Sequence, residues 1–167
     1  MRILAVDVGA GTQDILLFDS SSIIENCVKI IMPSPTALVA QRIAMATKRG
    51  WPIMMEGVIM GGGPCKAALA RHTAAGLAAY ATEEAALTFD DDVESVKAMG
   101  VTIISPDEVL PRHKFEVIHL RDLDLAAIRG ALQAFGVEAR FDAVAVAVLD
   151  HGSAPAGVSN RLLRYQY

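Results

Sequence analysis

At 167 residues, with 53% hydrophobic and 20% charged positions, the chain is long enough to bury one core and is globular in composition. A net charge of −4 argues against the basic stripe that nucleic-acid binding needs. No stretch approaches the ~20 apolar residues of a membrane span. Asp7 interrupts the first apolar run, so a signal peptide is not expected and the chain reads as cytoplasmic. Cys27 and Cys65 lie far apart and are expected as reduced thiols. No CxxC or CxxxCxxC spacing suggests zinc or an iron–sulfur cluster.

In chain order, Arg2 to Val8 forms a short apolar run ended by Gly9-Ala10-Gly11. A second run covers Asp14 to Asp19, and a third passes through Val28 to Ile31. Tight turns between three such runs predict three antiparallel strands, with Gly9 to Gln13 as the first hairpin turn. Ser34 then caps a helix with Pro35 at its first position, where a missing N–H costs nothing. Leu38, Arg42, Ile43 and Met45 follow, and Gly50-Trp51-Pro52 stops the helix.

Beyond this point strands and helices alternate. Gly57 to Met60 is a strand, Gly61-Gly62-Gly63-Pro64 a turn, and Cys65 to Thr73 an alanine-rich helix. A short strand lies around Tyr80, and Asp91 with Glu94 suggests a capping box for a helix ending at Gly100. Val101 to Ile104 and Phe115 to Leu120 are further strands. Leu125, Ile128, Leu132 and Phe135 mark one face of a helix closed by Gly136. The unbroken apolar run Ala143 to Leu149 predicts a central parallel strand buried on both faces, ending at Asp150-His151-Gly152.

The expected fold is α/β: a ribonuclease-H-like mixed sheet, with a three-stranded antiparallel meander followed by parallel strands, flanked by helices in a single lobe over residues 1–167. A doubly wound fold is the alternative. It is disfavoured because a parallel neighbour of the first strand would need a crossover far longer than the turn at Gly9 to Gln13.

Asp7-x-Gly9-x-Gly11-Thr12 resembles the first phosphate loop of the actin, Hsp70 and sugar-kinase superfamily. Glycines at a hairpin tip leave backbone N–H groups uncovered and permit positive φ, so such a loop can wrap phosphate oxygens. Thr12 offers a further hydroxyl donor. The competing reading is an ordinary glycine hairpin. Asp150-His151-Gly152 ends an apolar strand where the superfamily places its second phosphate loop; here the alternative is a plain strand-end turn. The resemblance implies that Asp7 and Asp150 are catalytic and position magnesium, while Gly9, Gly11, Thr12 and Gly152 hold the phosphates of ATP.

Other polar features read more plainly. Gly61-Gly62-Gly63-Pro64 matches neither GK[ST] nor G-x-G-x-x-G, so close packing is the preferred reading, with Lys66 otherwise a phosphate partner. Asp90-Asp91-Asp92 suits a helix start. His72, His113 and His119 lack ligand spacing, and Trp51 reads as a helix-end packing residue.

Across nearly its whole length the chain also resembles the amino-terminal part of a prokaryotic family labelled as related to pyruvate formate-lyase activating enzyme. The residues are Ile3 to Asp14, Tyr80 to Thr88, and Asp150-His151-Gly152 with Asn160-Arg161. A glycyl-radical activase needs three clustered cysteines, and the sequence has two distant ones. The superfamily resemblance implies the ATP-binding lobe of an ATPase or phosphotransferase. The alternative is a non-catalytic binding or assembly module that retains the fold. No adenosine loop precedes Tyr167, so the chain is expected to be the N-terminal part of a longer two-lobe protein. A second lobe or a homo-oligomer would complete the site. The expected partner is a nucleotide or small phosphorylated ligand.

Overall fold

The computed structural model describes residues 1–105, 114–148, 155 and 158. Strand β1 (Arg2–Val8) turns at Gly9 to Gly11 into β2 (Thr12–Asp19), and a 3-10 turn at Ile24–Asn26 leads to β3 (Val28–Pro33). Helix α1 (Pro35–Arg49) follows, then β4 (Ile53–Val58), α2 (Gly63–Ala74), β5 (Ala79–Thr82), the single turn α3 (Glu83–Ala86), α4 (Val93–Ala98) and β6 (Val101–Ile104). The described chain continues with β7 (Glu116–Arg121), α5 (Leu125–Ala134) and β8 (Ala143–Val148).

These strands form two four-stranded sheets. The first is mixed, in the order β3-β2-β1-β8. The meander is as expected: β1 and β2 run antiparallel from Arg2↔Asp19 to Val8↔Gln13, and β2 and β3 are also antiparallel. β8 lies parallel to β1, from Ile3↔Ala143 to Val8↔Val148. The second sheet is wholly parallel, in the order β6-β5-β4-β7. Helices flank both, an α/β architecture compatible with a ribonuclease-H-like fold. The expectation needs one refinement: the alternating strands after α1 build their own sheet, and among the described strands that follow α1 only β8 joins the meander.

Each sheet has its own core. Leu4, Val6 and Val8 alternate along β1 and meet Ile15 and Leu17 of β2 beneath Ile128 and Leu132 of α5. In the second core Ile53, Met55, Ile118 and Leu120 pack against Val39 and Ile43 of α1 and Leu69 of α2. Gly57 lies between the parallel strands of this sheet with φ at 86°, and a Cβ there would overlap the Leu120 carbonyl oxygen. Gly61 meets the Thr88 backbone in the same way. The glycine turn before α2 is therefore a close-packing requirement at Gly61.

Four local expectations change. The strand expected over Gly57 to Met60 runs instead from Ile53 to Val58. β8 is not a doubly buried central strand; every one of its residues is exposed, and it forms the edge of its sheet among the described residues. An unbroken apolar run signals strand propensity but does not choose its neighbours. The cap of α4 is Asp92 rather than Asp91, with its carboxylate accepting from the Glu94 and Ser95 N–H groups. Glu94 pairs instead with Lys97 at 2.7 Å. Phe135 is 80% exposed, because α5 ends at Ala134 and the chain turns away through Gly136 at φ 73°.

Where α1 meets α2, His72 is fully buried, its ring bonded to Thr47 Oγ1 at 2.8 Å and to the Ala78 carbonyl at 3.3 Å. Burial pulls its pKa below the ordinary 6.5, against the opposing hydrogen bond to Ala78. A base whose folded pKa is depressed leaves the unfolded chain binding more protons near that value. Stability is then fully present above 6.5 and falls as the pH drops through the window beneath it. Thermal unfolding followed from neutral to mildly acidic pH should show this loss, and His72→Gln should flatten that slope.

Candidate functional site

The β1–β2 turn is held by a single buried side chain. Ser34, the N-cap of α1, accepts the Ala37 N–H at 3.2 Å and donates its hydroxyl to the Ala10 carbonyl at 2.8 Å. Its backbone N–H donates to the Gly11 carbonyl at 3.0 Å. Each trans peptide sets its N–H opposite its carbonyl. With the Ala10 and Gly11 carbonyls facing Ser34, the N–H groups of Gly11 and Thr12 face away from it. Ala10, Gly11 and Thr12 are all exposed. Among the described residues no atom would meet a Cβ on Gly11 within 4 Å.

Neither Gly9 nor Gly11 lies in the left-handed region of φ, contrary to the reason for glycine anticipated from the sequence. Gly9 is favoured by crowding instead: a Cβ there would sit 3.0 Å from the Thr12 carbonyl oxygen, which accepts the Gly9 N–H at 2.9 Å. The Thr12 hydroxyl is also differently engaged, donating to Asp14 Oδ2 at 3.1 Å.

Asp7 is exposed at the end of β1, and the hairpin register sets it directly opposite Asp14. Like charges directly opposed across strands repel, and the pair shares a sheet face with a hollow of about 540 Å³ lined also by Leu16, Lys29, Ile31 and Ala147. Ala147 is the β8 neighbour of Asp7, so β8 ends level with the turn. Asp150 and Gly152, expected to complete the site, lie outside the described residues, as do His151 and His113.

Sequence reasoning missed Asp14 and the anchoring role of Ser34. The signal for Asp14 was present, since a hairpin centred between Ala10 and Gly11 must set residue 7 against residue 14. Ser34 was legible as a cap, but its bond to Ala10, 24 positions away, is a tertiary contact.

The remaining candidates have structural duties. Lys66 pairs with Asp90 at 2.6 Å, and that hydrogen bond holds the Asp90 carboxyl below the usual carboxylate range. His119 Nδ1 lies 2.7 Å from Glu56. Arg49 stacks on Trp51 at the end of α1. Cys65 is fully buried, 2.8 Å from Thr36 Oγ1, and burial pushes its thiol pKa up, which disfavours the thiolate a metal would bind. Cys27 is buried elsewhere, beside Asp19 at 3.4 Å. The two cysteines do not form a three-thiolate set, and no group of three or more metal-ligating side chains occurs among the described residues. Nor is any described helix long and apolar enough to cross a membrane.

The fold and turn define an α/β protein with a hairpin whose Gly11 and Thr12 amides face away from Ser34, beside a carboxylate pair. Residues 60–167 match the family described as "Putative pyruvate format-lyase activating enzyme (DUF1786)", and the chain belongs to that family. The matched part begins at Met60, after the β1–β2 turn. No curated protein matches the chain.

Removing the Ser34 hydroxyl should both uncap α1 and free the Ala10 carbonyl. Ser34→Ala is expected to cost about 1–2 kcal/mol in chemical denaturation, the range of a lost N-cap together with one buried hydrogen bond. Ser34→Thr, which keeps the hydroxyl, should recover part of it.

Proposed function

We propose that the chain provides a nucleotide-binding surface for ATPase or phosphotransferase chemistry, with the β1–β2 turn as its phosphate loop. The observation that supports this best is the Ser34 anchor, which turns two adjacent carbonyls toward Ser34 and their two amides away from it, beside Asp7 and Asp14. Phosphoryl transfer relies on positioning and charge neutralisation, so few special side chains are required. In this reading Gly11 and Thr12 supply backbone donors, and Gly9 allows the tight turn. The Asp7–Asp14 pair fits magnesium, a hard cation that takes one or two carboxylates together with phosphate oxygens. Bound there, magnesium would neutralise phosphate charge. Asp150 and Gly152 belong to the same proposal by their sequence position after β8.

A second reading, a non-catalytic binding module, draws support from the uncovered face of the first sheet, where Ile31 is 70% exposed. The two readings separate on nucleotide. Calorimetry should detect weak, magnesium-dependent ATP binding that Asp7→Ala removes. Phosphate release should stay near background, because the turn and both carboxylates are open to water and transition-state electrostatics need solvent excluded. Robust turnover by this chain would contradict the open-site argument, and magnesium-independent or absent binding would favour the second reading.

A further inference from the structure

A second concavity lies on the other side of the first sheet, where α5 approaches α1 and the end of β7. It encloses about 280 Å³, slightly below the range of sites for drug-sized ligands. Met32, Val39 and Ile128 supply apolar lining, and Gln13, Arg42, His119 and Arg121 supply polar groups. Two acids, Asp122 and Asp124, complete the polar set.

A census of these polar groups shows which remain to be satisfied. Asp122 accepts the Met60 N–H at 2.7 Å, and Asp124 caps α5 through the Ala127 N–H at 2.9 Å while holding Arg121 Nη1 at 3.2 Å. Both carboxylates are committed. Arg42 spends Nε and Nη2 on Glu116 and on the Val117 carbonyl, leaving Nη1 without a partner among the described residues. Arg121 keeps Nε and Nη2 without a partner among the described residues, while His119 turns Nδ1 to Glu56. Unspent guanidinium N–H groups therefore remain at the cleft, set around an apolar floor. A guanidinium edge with free N–H groups matches a carboxylate, and an exposed ion pair such as Arg121–Asp124 is weak enough for a ligand to compete with it.

We propose that this cleft binds a small monocarboxylic acid, its apolar body lying on Met32, Val39 and Ile128 and its carboxylate on the unspent donors of Arg42 and Arg121. The inference is independent of the nucleotide reading, since it uses the opposite face of the first sheet from Asp7 and Asp14. Gln13 is the link between the two: it follows the phosphate turn directly but is 8% exposed on the α5 side, with Nε2 bonded to the Pro33 carbonyl.

The test is a solution NMR titration of the whole chain with hexanoate, with hexanol and hexylamine as neutral and cationic counterparts. Hexanoate should shift the Met32 and Ile128 methyl signals and bind at least about tenfold tighter than either counterpart, the preference expected from a hydrogen bond to a charged group. Arg121→Gln should erase that preference while keeping the fold, and Ala131→Phe, which fills the lining, should abolish binding. Equal binding of hexanol, shifts confined to other surfaces, or no shifts with hexanoate would each overturn the proposal. If Ala131→Phe fails to fold, Arg121→Gln alone decides it.

Discussion

One serine hydroxyl organises the approach to the candidate phosphate site. Ser34 is fully buried, and its side-chain oxygen serves two partners at once, capping α1 and holding the Ala10 carbonyl. The hairpin turn and the helix start thereby become one unit. A turn of alanine and glycine would otherwise sample many conformations, each costing entropy to fix. The same bond decides which way the peptide units face, so the local chemistry of the turn depends on a helix cap that lies two strands further along the chain.

Beyond that point the molecule divides into two packed bodies. The first sheet and α5 bury Leu4, Val6, Val8, Ile15 and Leu17; the second sheet with α1 and α2 buries Ile53, Met55 and Ile118. The chain enters the second body through α1 and returns through α5 to β8. This places the carboxylate pair on the open face of the first sheet and the donor-rich cleft between α1 and α5. The family match covers the return path from Met60 onward, so it bears on the second body and β8 rather than on the turn.

Much of this was readable from local chemistry. Ser34-Pro35, Gly50 and the meander follow from capping, left-handed glycine and turn length, each acting over a few residues. What failed were properties set at a distance. The Ala-Val alternation of β8 declares a strand, yet whether both faces are buried depends on which strands lie beside it, and no local signal reports that. Whether the strands after α1 join the first sheet or build another is likewise a matter of long-range pairing. At the turn, glycine was anticipated for its freedom of φ, whereas Gly9 is favoured by the tight approach of the Thr12 carbonyl oxygen, 3.0 Å from where a Cβ would sit. Asp14 was within reach of register arithmetic.

The central claim is that Ser34 orients the Gly11 and Thr12 amides toward a phosphate group beside Asp7 and Asp14. Backbone amide NMR during titration with pyrophosphate, with and without magnesium, tests it most directly. The account predicts that the Gly11 and Thr12 signals move most, that magnesium enlarges the change, and that Ser34→Ala suppresses it. Shifts centred instead on Gly62 to Lys66 at the start of α2, or an undiminished response in Ser34→Ala, would contradict it.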